Sequence, residues 1–82
     1  MFRYKTSGVC SREIQIELDG NTIKDVKFVG GCNGNLKAIS KLVKGKTVNE
    51  VVNILEGNTC GPKPTSCADQ LARGLQEAVV AQ

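Results

Sequence analysis

The chain contains no histidine. That absence excludes Ser-His-Asp and Cys-His catalysis, and it excludes mixed Cys/His zinc sites. There is no tryptophan, and Phe2, Tyr4 and Phe28 are the only aromatic residues. The core must therefore be built from Val, Ile and Leu. No apolar run approaches the roughly 20 residues of a membrane span, so no membrane association is expected. The opening segment Met1 to Gly8 has no apolar run of signal-peptide length. The expected compartment is the cytoplasm, where thiols stay reduced. No Cys-x-x-Cys pair occurs, so the chain is neither a standard zinc ribbon nor a ferredoxin run. The net charge of +3 comes from lysines scattered along the sequence. A nucleic-acid face would show a denser basic stripe, and none is expected here. No acid pair suits general acid/base chemistry. Glu17, Asp19 and Asp25 gather around one turn, where exposed acids are ordinary.

What is present is a short chain with four cysteines. Its 82 residues make room for one domain, spanning 1–82. A chain of this size buries a modest fraction of its surface, and such domains often add a disulfide, a metal or a partner subunit. A homodimer is one such route for a small core with free strand edges.

Glu13-Ile14-Gln15-Ile16-Glu17-Leu18 alternates strictly, which predicts a strand with one buried face. Asp19-Gly20-Asn21 is a turn cluster. Ile23 to Val29 follows as a second strand, with Val26 and Phe28 on one face, and Phe2 to Thr6 can add a third. Gly30-Gly31-Cys32-Asn33-Gly34 ends the sheet. A helix is predicted from Asn35 to about Lys44, with Leu36, Ile39, Leu42 and Val43 as its inner stripe and Gly45 as its C-cap. Thr47 and Glu50 form a capping box for a short helix with Val48, Val51, Val52 and Leu55 inward. Asn58 to Pro64 is a loop. Thr65-Ser66 then caps a last helix, with Asp69 as a second box partner and Leu71, Leu75, Ala78 and Val79 inside. Strands followed by helices predict an α+β fold: a small antiparallel sheet of two or three strands, with three helices on one face.

Cys10, Cys32, Cys60 and Cys67 all fall at element ends or in loops, where function is commoner than packing. Their separations are 21, 27 and 6 intervening residues. Cys67 opens a helix, a place that favours thiolate, the form that binds metal or attacks disulfides. Glycines beside the cysteines, Gly31 and Gly34 among them, would shape a loop that lets thiolates converge on a bound group. A Cys₄ set suits either Zn²⁺ or an iron–sulfur cluster. Thiol redox chemistry and simple burial as small hydrophobes are the competing readings. The Gly-Gly-Cys-Asn-Gly-Asn loop lacks the Lys-Ser/Thr ending of a P-loop.

Thr65-Ser66-Cys67-Ala68-Asp69-Gln70-Leu71-Ala72 resembles the motif for which the TSCPD domain family is named, with Ala68 where that family usually has Pro. Gly30 to Leu36, Lys44-Gly45-Lys46-Thr47 and Cys60-Gly61 fit a short four-cysteine bacterial branch of the same family. The resemblance implies kinship with the C-terminal domain of adenosylcobalamin-dependent ribonucleotide reductases. It implies a metal-binding role, with zinc or an iron–sulfur cluster on Cys10, Cys32, Cys60 and Cys67. It also implies a ribonucleotide reductase or another protein as partner. The alternatives are a thiol redox partner using Cys60 and Cys67, and an adaptor that regulates a reductase. Ribonucleotide reduction needs a large barrel and a radical cysteine, so the domain is not expected to be an enzyme alone. The chain also resembles NifU-type iron–sulfur scaffolds, through Cys32 and Cys67. That resemblance implies a NifU/IscU-like fold and a cluster scaffold or carrier. The scaffold's middle cysteine and its Asp have no counterpart here.

Overall fold

A computed structural model describes residues 1–31, 33–59 and 61–82, and the side chain of Asn33 is left aside. The alternating segment forms a strand longer than its strict pattern, β2 (Ser11–Asp19). It lies between β1 (Phe2–Lys5) and β3 (Thr22–Gly30) in an antiparallel sheet of order β1-β2-β3. The optional third strand of the sequence reading is thus formed, with Phe2 opposite Ile16 and Tyr4 opposite Ile14.

Two irregularities in the β2–β3 ladder decide which residues face the core. Glu17 pairs with Asp25 while Leu18 pairs with Ile23, so β3 carries one extra residue at Lys24. This bulge lets Ile23 and Val26, three positions apart, both turn inward and become buried. The other irregularity sits on β2. Ser11 pairs with Gly30 and Glu13 with Val29, leaving Arg12 as the extra residue. Strict alternation from Ile14 would turn Arg12 inward. The bulge turns Ser11 inward instead, to 3% exposure, and leaves Arg12 exposed.

The helices are α1 (Asn33–Val43), α2 (Val48–Leu55) and α3 (Cys67–Ala81). α1 starts two residues earlier than the periodicity predicts, so Gly34 lies inside the helix and not in the loop before it. Leu36 and Val43 are buried, with Ile39 packed beside the core, but Leu42 is 69% exposed. Leu42 sits about 120° around the helix from Leu36, too far for the shared stripe that the sequence suggested. The Thr47–Glu50 capping box at α2 is fully formed: Glu50 N donates to Thr47 Oγ1 and Thr47 N donates to Glu50 Oε1. At α3 only half of the expected box exists. Ser66 is the N-cap and accepts from Asp69 N at 3.1 Å. The Asp69 carboxylate reaches other partners.

The sheet contributes Ile14, Ile16, Ile23 and Val26 to the core. Val43, Val48, Val51, Leu71, Leu75 and Ala78 meet them from the helices. α3 crosses β1 and β2, and α1 lies along β3. Gly74 is where α3 comes nearest the sheet. A Cβ there would stand 3.0 Å from Tyr4 Cγ and 3.2 Å from Ile16 Cδ1. Among the described residues no helix is long and apolar enough to cross a membrane.

Candidate functional site

Residues 65–69 form the first turn of α3 and its approach, and four of the five are buried: Thr65, Ser66, Ala68 and Asp69. Burying so many polar groups requires that each find a partner. They find them on segments far away in sequence. Asp69, 1% exposed, accepts from Gly57 N at 2.7 Å, from the Thr65 hydroxyl, and from Arg73 Nε at 3.0 Å. The Ser66 hydroxyl donates to Asn58 O, and Asn58 Nδ2 donates back to Ser66 Oγ at 3.4 Å. Gln70, also buried, donates from Nε2 to Thr65 Oγ1 at 3.1 Å and accepts from Ser7 N at 3.3 Å. No buried side-chain polar atom among the described residues lacks a partner.

The consequence is a convergence. Gly57 and Asn58 tie the segment after α2, in which Cys60 stands in the sequence, to the start of α3. Ser7 ties the β1–β2 connection, which carries Cys10, to the same turn. The third link runs through Ser11, whose Oγ lies 3.3 Å from Cys67 Sγ in hydrogen-bond contact. Gly31, the neighbour of Cys32 in sequence, packs on Ser11 so closely that a Cβ would stand 3.0 Å from Ser11 N and 2.8 Å from Leu36 Cδ1. Its φ of +84° is a second reason for glycine. Gly34, by contrast, has open space where a Cβ would be.

Cys67 is the first residue of α3 and half-buried, and Cys10 is exposed. Both line one cavity of about 270 Å³, together with Asn35 and Leu36 from α1 and Thr59 and Lys63 from the loop before α3. The structure therefore brings together two of the four predicted thiols, separated by 56 intervening positions in the sequence. The other two predicted ligands, Cys32 and Cys60, lie outside the described residues. Among the described residues no three Cys, Asp or Glu side chains gather as metal ligands.

The electrostatics of this turn centre on Asp69. Burial alone would push its carboxyl up. The Thr65 hydroxyl, the Gly57 amide and the Arg73 guanidinium outweigh burial and hold it below the ordinary Asp value. Sequence reading treated Asp69 as a cap partner and passed over Ser11 and Gln70. One signal was available: Ala68 to Ala72 alternates no polarity, yet carries Asp and Gln inside a run that turns out wholly buried.

No curated protein and no solved structure was found to match the chain. A family model does match: that of the TSCPD domain, over residues 2–79. The match spans all three strands and nearly all of α3, and three residues of the motif, Ser66, Cys67 and Asp69, bond to segments outside the helix. The chain therefore belongs to the TSCPD domain family.

Proposed function

We propose that this protein is a small metal-binding module, an accessory related to ribonucleotide reductases, in which Cys10, Cys32, Cys60 and Cys67 hold Zn²⁺ or an iron–sulfur cluster. One observation carries the reading. The three connections in which Cys10, Cys32 and Cys60 stand in the sequence are each flanked by residues bonded to the first turn of α3 or packed against Ser11 beside it. That turn carries the fourth cysteine. Loops pinned at defined points can present thiolates to one centre at little entropic cost on binding. Four thiolates and no imidazole are a donor set that soft-ligand metals accept. A closed zinc site would supply folding energy, and a cluster would add one-electron chemistry. Gly31 leaves room for the main chain to approach this centre. The partner in this reading is a ribonucleotide reductase or another protein that the module joins.

The test is elemental analysis with a visible spectrum, on protein purified without oxygen or chelator. One zinc per chain without colour supports a structural site, and iron with sulfide and a brown chromophore supports a cluster. Cys67→Ser should lose either one. Metal-free protein with four titratable thiols would end the reading.

A second reading has its own support. The Ser66–Asn58 and Asp69–Gly57 bonds draw together the two ends of the loop between α2 and α3. Such a closed loop favours pairing of Cys60 with Cys67 as a redox dithiol for a reductase. A Cys60–Cys67 disulfide peptide from mildly oxidised, metal-free protein is the expected signature. Its absence would remove this reading.

A further inference from the structure

Cys67 lines the cavity at the start of α3, and behind it lies a polar group whose placement the fold does not otherwise require. Ser11 is buried to 3% exposure on β2, at a position that alternation would assign to the outer face. Its carbonyl is already engaged, since Thr6 Oγ1 donates to Ser11 O, and Gly31 packs closely beside its amide. Its hydroxyl meets the Cys67 sulfur at 3.3 Å. In the free thiol either atom can donate. A sulfur that ligates a metal has lost its proton, so in that state it can only accept. The hydroxyl must then be the donor.

We propose that Ser11 is a positioning residue for Cys67: its O–H donates to the ligating sulfur and fixes the direction in which that sulfur faces the cavity. The proposal rests on the metal-binding reading above. Ser11 itself does not touch the metal. It acts through Cys67, in the manner of the outer partners that orient metal ligands and tune their donor strength. Its own position is set by the bulge at Arg12, which turns residue 11 to the inner side. A hydroxyl that served only the strand would bond to main chain. Here the Ser11 carbonyl accepts from Thr6, and the hydroxyl is turned to sulfur.

The experiment compares wild type with Ser11→Ala, using Zn²⁺ alone in chelator competition and Co²⁺ alone for its sulfur-to-metal charge-transfer band. Ser11→Ala should weaken Zn²⁺ binding about 10- to 100-fold. It should move the Co²⁺ band to lower energy, because a thiolate without its hydrogen bond gives up electron density more readily. The far-ultraviolet circular dichroism should not change. Equal Zn²⁺ affinity and an identical Co²⁺ spectrum in the two proteins would overturn the proposal. If wild type binds neither ion, the metal reading fails, and the Ser11–Cys67 contact is then read by alkylation of the metal-free chain with mapped sites. A rate that changes at Cys67 and stays constant at Cys10 upholds the positioning role for a free thiol. Unchanged rates at both would overturn it. If Ser11→Ala does not fold, Cys67 labelling in Ser11→Gly makes the same comparison.

Discussion

Gly57 donates its main-chain amide to Asp69 Oδ1 at 2.7 Å, across twelve residues of chain. This bond joins the end of α2 to the first turn of α3, and it closes the loop between them. The other carboxylate oxygen meets Thr65 and Arg73. One buried side chain thus satisfies a main-chain amide, a hydroxyl and a guanidinium.

Asp69→Ala takes the charged acceptor from all three and leaves the buried Thr65 hydroxyl only a long contact with Ser66 O. The lost hydrogen bonds to a charged group, together with the one buried hydroxyl, suggest a loss of about 3 kcal/mol. Urea unfolding of the metal-free chain measures this. A loss below about 1 kcal/mol would mean that water replaces the carboxylate without penalty, and that the loop closure matters little.

Acid should act through the same group. The Asp69 carboxyl is held below its ordinary value: burial opposes ionisation, and Thr65, Gly57 and Arg73 outweigh it. The folded chain therefore binds fewer protons at this site than the unfolded chain. Its contribution is complete above the unfolded value near pH ~3.9, and it is lost as pH falls through the folded value. Glu50 is lowered too, by the Thr47 amide and then the Thr47 hydroxyl, on the exposed face of α2. Asp69→Asn separates the two. Wild-type urea midpoints should drop more steeply below about pH 4 than those of the variant. Parallel profiles would show that Asp69 does not govern the acid limb.

Gly74→Ala sets two effects against each other. Ala in place of Gly in a helix interior favours folding by about 1 kcal/mol. The new methyl, however, would stand 3.0 Å from Tyr4 Cγ and 3.1 Å from Tyr4 Cβ. Tyr4 Cβ is fixed to β1, so the strand must move, and overpacking of this kind costs roughly 1–3 kcal/mol. A net loss of stability is expected. In a Tyr4→Gly background, which removes both atoms, the sign should reverse. A stabilised single variant would show that α3 and β1 can separate freely.

The elements were legible where local patterning and tertiary demand agreed. Alternation in Glu13–Leu18 and the Thr47–Glu50 box are examples, and both appear as expected. The motif from Thr65 to Asp69 was legible as a family mark, but its physical work was not. Asp69 bonds to Gly57, and Gln70 to Ser7, partners distant in sequence that no local rule supplies. Leu42 was misassigned because a stripe drawn from apolar residues alone ignores how narrow the contact with β3 is. Ser11 was invisible for a different reason. A single extra residue at Arg12 changes the parity of the strand, and nothing in the residue types announces it.

That extra residue gives β2 two reading frames. From Ile14 to Ile16 the strand serves the core, and any slip would turn isoleucines to solvent. At Ser11 it serves Cys67, in a frame shifted by one. The two ends are decoupled, so the residue facing Cys67 can be exchanged without disturbing the alternation that holds the sheet to its helices. Removing Arg12 would merge the frames and leave Ser11 opposite Gly30, still facing inward, in one alternation with Ile14 and Ile16. The residue that the bulge casts out is spare to the ladder, and both the core and the hydroxyl beside Cys67 would outlast its loss.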